Sequence, residues 1–161
     1  MLATPTNPYP YAPTPSPTGI LQPHEPQRLL ALAIFLPAAA LLTTAALLSP
    51  NPNGHGTHTS LGLAPCGLLQ ATGIPCPTCG MTTAFALAAD ASLLQSLLTQ
   101  PLGFLLALAT AATTLVTGYA LVTGMRLQPL IDALLQPRTF WAFAVLTVLA
   151  WAYTIARFQL A

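Results

Sequence analysis

Three runs of apolar residues, each long enough to cross a lipid bilayer, dominate the hydropathy pattern of the chain. They cover residues 29–48, 102–123 and 140–156. A helix needs roughly 17–25 apolar residues, at about 1.5 Å each, to span the hydrocarbon core. Near the ends of the third run lie Trp141 and Trp151, whose amphipathic rings prefer the two membrane interfaces. The pattern predicts an all-α integral membrane protein with about three transmembrane helices.

The segments between and before these runs predict the rest of the organisation. Residues 1–28 are rich in proline and poor in aliphatic side chains, which predicts a disordered tail ahead of a helical membrane domain at 29–161. Residues 49–80 begin with the turn-forming stretch SPNPNGHGT and form a loop. Residues 81–100 have a helix-forming composition, but a fourth span would place Asp90 near the bilayer centre, at a cost of roughly 2.5–3.5 kcal/mol. We therefore expect an interfacial helix there.

Small side chains recur every four residues along the second span. Thr110, Thr114 and Gly118 share one helix face, which lets another helix approach closely. This spacing indicates a packing seam, through which a membrane-protein partner could dock. A span so rich in threonine and alanine also shows such spacing by chance.

The composition changes the picture in two ways. The chain has four arginines, no lysine and three acidic residues, too few to solvate a globular surface, so its main partner is the lipid bilayer. This charge balance also excludes nucleic-acid binding, which needs a basic field against phosphate. Arg28, Arg126 and Arg138 fall on one side of a three-span topology and Arg157 on the other. The positive-inside rule then predicts a cytoplasmic N-terminus and a cysteine loop on the outside of the cell (inner) membrane.

The candidate chemistry lies in the loop, where three cysteines form the pattern C-x9-C-P-T-C-G. In a first interpretation, Cys76 and Cys79 form a zinc-knuckle turn, Gly80 adopts a positive φ, and the following helix has Thr82 as its N-cap. Cys66 would be the third metal ligand. The fourth would be His58, His55 or water, and the cofactor would be zinc.

Two other interpretations stay open. Cys76 could cap a helix that begins at Pro77, as in thiol oxidoreductases, although Gly80 in its first turn would cost nearly 1 kcal/mol relative to alanine. Alternatively, a disulfide or buried thiols brace the loop, since an outward-facing loop favours disulfides and the odd count leaves one thiol over. Asp90 is eleven residues beyond Cys79, about 16 Å along a helix, and is not expected in the site.

The same residues carry a resemblance. The cysteine pattern, preceded by T-G-I-P and followed by M-T, a short helix with an acidic residue and a proline-led span, resembles the bacterial membrane-protein family known as domain of unknown function 2752. The resemblance covers residues 66–103, and the residues that agree with the motif are Thr72, Gly73, Pro75, Cys76, Pro77, Cys79, Gly80, Met81 and Thr82. The family typically has an arginine where this chain has Thr83. A positively charged side chain beside the thiolates, which the family's arginine would provide, is therefore not expected here. The resemblance implies a small integral membrane protein and no known activity.

These observations lead to one functional expectation and its alternative. No nucleophile–base pair, paired carboxylates or phosphate loop is evident, so no catalytic or cofactor-binding residue is predicted. We expect a non-enzymatic accessory or assembly component with a cysteine-braced outer loop. The alternative is a membrane-tethered metal-binding or thiol–disulfide exchange module built on Cys66, Cys76 and Cys79, with His58 as the candidate fourth ligand.

Overall fold

The computed structural model describes residues 25–160, and in this part of the chain all regular structure is helical. Of the predicted tail, residues 1–24 lie outside the described residues, and residues 25–28 already form the first turn of a helix. The helices are α1 (Glu25–Leu47), α2 (Gly67–Thr72), α3 (Met81–Ala89), α4 (Leu93–Thr99), α5 (Pro101–Thr123), α6 (Gln128–Leu134) and α7 (Pro137–Leu160), with a 3-10 turn at Thr57–Leu61.

Three of these helices have the length and apolar composition to cross a membrane, which confirms the predicted fold class. The candidate spans are Gln27–Leu47, Pro101–Thr123 and Pro137–Leu160. Two of them begin at a proline, which suits the first turn of a helix because the N–H that proline lacks would have no partner there. The third helix extends beyond the predicted 140–156 at both ends, since backbone hydrogen bonding continues through polar residues that a hydropathy window excludes.

Helices α1 and α5 pack against each other in opposite directions. Near one end, Ala45 of α1 lies in a buried cluster with Phe85 and Ala107, and near the other end Ala31 lies in a cluster with Ala120. The four alanines of these clusters have small side chains that let the two helices approach closely, as is usual where apolar helices meet in a membrane.

Part of the predicted packing seam on α5 contacts helix α1 of the same chain. A Cβ atom on Gly118 would lie 3.3 Å from the ring of Phe35 in α1. The hydroxyls of Thr110 and Thr114 donate to the carbonyl oxygens of their own helix, at Leu106 and Thr110. The small residues therefore admit α1 at Gly118, and a membrane-protein partner at this face stays a prediction.

The segment predicted as one interfacial helix is divided into two. Helix α3 ends at Ala89, Asp90 is exposed, and Ala91 has a φ of 58°, so the chain turns before α4. The interior of α3 is buried against α1 and α5, which is unlike a helix lying flat on a membrane. Of these two helices, only α4 presents a row of exposed apolar side chains, namely Leu93, Leu94, Leu97 and Leu98.

The C-terminal half of α7 is attached to the loop end of the bundle by polar side chains. The Tyr153 hydroxyl donates to the carbonyl oxygen of Leu98 at 2.8 Å, and Arg157 Nη1 donates to that of Thr99 at 2.9 Å. A cation beside the last carbonyl groups of α4 is also favoured by the helix dipole. These bonds place the end of α7, the cysteine loop and the start of α5 at the same end of the molecule.

Candidate metal centre

The CPTC segment forms a tight turn that ends directly at the start of α3. The Cys79 N–H donates to the Cys76 carbonyl oxygen at 3.0 Å, and the Met81 N–H donates to that of Thr78 at 3.1 Å. Gly80 has a φ of 85° and is the N-cap residue of α3. The positive φ predicted for Gly80 is therefore present. The predicted N-cap Thr82 instead lies inside the helix, because the helix already begins at Met81.

The form of this turn distinguishes the zinc-knuckle interpretation from the thiol-oxidoreductase interpretation. The thiol-oxidoreductase interpretation requires a helix that begins at Pro77. Pro77 instead lies in the tight CPTC turn, and the next helix begins at Met81. A positive φ is accessible to glycine at little cost, whereas a side chain in that conformation is strained by roughly 1–2 kcal/mol. The local backbone therefore has the form of a knuckle.

Helix α2 brings the third cysteine back to this turn. Cys66 is the N-cap residue of α2, and the helix ends after six residues at Gly73, whose φ is 70°. The chain then returns, so that the Sγ atoms of Cys66, Cys76 and Cys79 all lie within 4.8 Å of one another. Sulfur atoms that share a tetrahedral zinc ion at about 2.3 Å are about 3.8 Å apart. Small side-chain movements would bring the three sulfurs to that separation.

The three thiols are free in the structure and differ in their environments. Cys79 is only 6% exposed, whereas Cys66 and Cys76 are partly buried. Burial raises the pKa of the Cys79 thiol to about 11, and the charges of Cys76 and Cys66 add to this rise. The backbone N–H of Leu69 in the first turn of α2 lowers the pKa of the Cys66 thiol. The cluster thus combines a thiol whose pKa is lowered, Cys66, with one that stays protonated at neutral pH, Cys79.

Two side chains from distant parts of the chain hold the turn in place. Trp151 Nε1 donates to the Pro75 carbonyl oxygen at 2.9 Å, and Gln100 Nε2 donates to that of Pro77 at 3.2 Å. Gln100 is fully buried, and its Oε1 accepts from the Gly103 N–H at the start of α5. Sequence reasoning missed Gln100. The available signal was a polar residue directly before the proline that begins a span.

A second set of contacts joins the start of the loop to α3. The hydroxyls of Thr57 and Thr83 are 2.8 Å apart and buried, and Thr57 Oγ1 also accepts from the Asn51 N–H. The Gly54 carbonyl oxygen approaches Gly80 so closely that a Cβ there would lie 2.9 Å away. Thr83 is therefore a buried contact between the start of the loop and helix α3.

The other candidate ligands take different positions. His58 lines the same cleft as the cysteines, but its Nε2 lies 3.1 Å from the Ala64 carbonyl oxygen, and its ring nitrogens do not join the three sulfurs. His55 is turned toward Asn53 and packs against Phe158, with 4.9 Å between ring centroids. Asp90 lies at the far end of α3, as expected, and is not in the cluster.

A cleft of about 720 Å³ opens beside the cysteine cluster. Its walls come from the end of α1, the loop, α3 and α5, and include Leu41, Leu48, Phe85 and Leu106. The three cysteines line it together with the CPTC turn. The cluster therefore faces an apolar space rather than the packed interior alone.

Comparison with protein families gives a match for part of the chain. Residues 66–114 match the model of a family described as "Protein of unknown function (DUF2752)". The match begins at Cys66, includes the three cysteines and helices α2 to α4, and ends within α5, which confirms the resemblance expected from the sequence. No curated protein and no solved structure matches the chain.

Proposed function

We propose that this protein binds a thiophilic metal ion, with zinc as the first candidate, through Cys66, Cys76 and Cys79 at one end of a membrane-spanning helix bundle. The observation that carries the proposal is the mutual approach of three sulfur atoms to within 4.8 Å. A disulfide uses two sulfurs and leaves the third, whereas a metal ion uses all three. Thiolate ligands select zinc and other thiophilic metals over magnesium or calcium.

The electrostatics of the cluster support a bound cation. The pKa of Cys79 is raised partly because two neighbouring thiolates oppose its ionisation. A divalent cation among the sulfurs would replace this repulsion by attraction and would deprotonate the thiols on binding. The turn itself needs no rearrangement, because Gly80 already has the required conformation.

His58 is the candidate fourth ligand, with water as the alternative. When Nε2–H donates to the Ala64 carbonyl oxygen, the lone pair of the neutral ring is on Nδ1. Histidine ligands commonly bind metal through one nitrogen while the other donates to a carbonyl oxygen. The position of His58 along the same cleft is compatible with this arrangement.

The broader role that we propose is a non-enzymatic accessory or assembly component. Among the described residues, no carboxylate lines the cleft or joins the cysteine cluster to perform acid–base chemistry. A metal with three protein thiolates would then stabilise the loop as a rigid surface. The placement in the cell (inner) membrane, with the loop outside, is part of the same proposal and rests on the arginine distribution.

A bracing disulfide is the second candidate, favoured by the close approach of the cysteines and by the predicted outward-facing compartment. It differs from the metal site in a measurable way. A disulfide leaves one free thiol per chain and no bound metal, whereas the metal site leaves three thiols that become reactive after chelation.

Metal analysis of the purified full-length protein, combined with a thiol count before and after chelation, tests the proposal. We expect one zinc ion per chain in the parent protein, loss of metal in Cys66→Ser and Cys79→Ser, and a sulfur-to-metal charge-transfer band when cobalt replaces zinc. His58→Asn is the variant that separates a protein fourth ligand from water, since it should weaken metal binding only if His58 is a ligand. Protein without metal and with a single reactive thiol would contradict the proposal and favour the disulfide.

A further inference from the structure

The apolar cleft beside the cysteines extends into the membrane-spanning part of the molecule. Leu41 of α1 and Thr110 of α5 are among the residues that line it. Thr110 is nine residues beyond Pro101, so it lies about 14 Å along α5, which is nearly half of a hydrocarbon core about 30 Å thick. We propose that this cleft binds one hydrocarbon chain of a membrane amphiphile, with the polar end of that molecule beside Cys66, Cys76 and Cys79.

Where the walls of the cleft come from the candidate spans, they offer few free polar groups. No acidic residue, lysine or arginine lines the cleft. The hydroxyl of Thr44 donates to the Ala40 carbonyl oxygen at 2.8 Å, that of Thr110 to Leu106 at 2.7 Å, and Thr83 is paired with Thr57. The hydroxyls of these three threonines are therefore already paired within the protein. A water molecule beside them would find few of the two to four polar partners that it requires.

The size and position of the cleft select a chain from the lipid phase. Its volume of about 720 Å³ is within the range of roughly 300–1,000 Å³ that is typical of ligand pockets. A hydrocarbon chain in a cleft of this volume would gain many dispersion contacts with the apolar walls. Because two of these walls belong to candidate spans, the cleft can take such a chain directly from the surrounding lipid. This inference does not depend on a bound metal.

Two alkylating reagents with the same reactive group test the inference. N-ethylmaleimide and N-dodecylmaleimide are applied to the full-length protein in phosphatidylcholine vesicles after chelation and reduction, and labelling of the three cysteines is followed by mass spectrometry. In the parent protein the dodecyl reagent should react faster, because the cleft holds its chain with the maleimide near the thiols. Thr44→Trp, which fills the cleft from an exposed position, should lower the ratio of dodecyl to ethyl labelling rates about tenfold, a factor equivalent to 1.4 kcal/mol.

Thr43→Trp is the matched control. Thr43 is also exposed on α1 and makes the same type of bond to its own helix, but it does not line the cleft. Partitioning of the reagents into the vesicles is equal for both variants, so the control should keep the parent ratio. An equal ratio in all three proteins would overturn the inference. If Thr44→Trp does not fold, Thr110→Phe on the opposite wall provides the same comparison, and a parent-like ratio there would equally overturn it.

Discussion

At the scale of single residues, Gly80 carries two requirements at once. Its φ of 85° is a conformation that favours glycine, and the Gly54 carbonyl oxygen occupies the space in which a side chain would begin. Gly73 has a similar φ of 70° but nothing within 4 Å of its missing Cβ. Alanine substitutions at these two glycines therefore separate the cost of a side chain at positive φ from the cost of a steric clash.

Gly80→Ala should destabilise the protein more than Gly73→Ala. Both substitutions impose a strain of roughly 1–2 kcal/mol for a side chain at positive φ, and only Gly80→Ala adds a backbone clash. Thermal unfolding in detergent measures the difference, and the zinc content of the same preparations shows whether the turn holds metal. Equal melting temperatures for the two variants would show that the contact with Gly54 is relaxed at no cost, contrary to the close approach in the structure.

The three thiols should react in a defined order in chelated, reduced protein. The thiolate is the nucleophile, so the lowered pKa of Cys66 increases its thiolate fraction, whereas the raised pKa of Cys79, about 11, keeps that thiol protonated. Burial slows Cys79 further. Site-resolved alkylation by iodoacetamide between neutral pH and pH 9 should therefore show Cys66 labelled first and Cys79 last, with Cys79 labelling increasing as the pH approaches its pKa. Faster labelling of Cys79 at neutral pH would contradict this assignment.

At the scale of elements, the cysteine turn is attached to the spans by single polar side chains. Gln100 joins the Pro77 carbonyl oxygen to the first turn of α5, and Trp151 joins the Pro75 carbonyl oxygen to α7. Ser96 connects α4 to α3 through a bond of 2.6 Å to the Ala84 carbonyl oxygen. These bonds are buried or partly buried, where a backbone group left without a partner is costly.

Gln100→Leu should lower stability by about 1–3 kcal/mol, because it leaves the Pro77 carbonyl oxygen and the Gly103 N–H without their partners. Gln95→Leu is a suitable control, since Gln95 is exposed on the neighbouring helix α4. Unfolding by heat in detergent measures both effects. Gln100→Leu should also increase the labelling rate of Cys79, because it loosens the turn. A Gln100→Leu protein as stable as the Gln95→Leu control would refute the anchoring role of Gln100.

At the scale of the whole molecule, three long helices bring the cysteine loop and the end of α7 to one end and the α5–α6 connection to the other. Arg126 and Arg138 flank α6 at that second end, and Arg28 lies in the first turn of α1, also at that end. Arg157 is at the cysteine end, where it bonds to Thr99. The distribution supports the proposed orientation through the positive-inside rule.

A membrane-impermeant maleimide applied to intact cells after chelation and mild reduction should label the protein at Cys66 or Cys76, which are partly exposed. In a variant whose three cysteines are replaced by serine, Met125→Cys places a single cysteine at an exposed position of the α5–α6 connection, and its labelling should require permeabilisation. The opposite pattern would reverse the orientation and would also weaken the disulfide alternative, because a cytoplasmic loop stays reduced.

The sequence alone determined the features that depend on local chemistry or on one-dimensional hydropathy. The three spans were predictable because insertion into hydrocarbon depends on a continuous apolar length. The positive φ of Gly80 and the proximity of Cys76 to Cys79 were predictable because a tight turn between neighbouring residues has few solutions.

Only the tertiary structure decided which distant residues meet. Cys66 reaches the turn because α2 stops at Gly73, and Gln100 and Trp151 bond to residues 23 and 76 positions away. The break at Ala91, with α3 buried between α1 and α5, also contradicts the uniform helix-forming composition of residues 81–100. Such contacts are selected by packing and by the need to satisfy buried backbone groups, which local propensity does not encode.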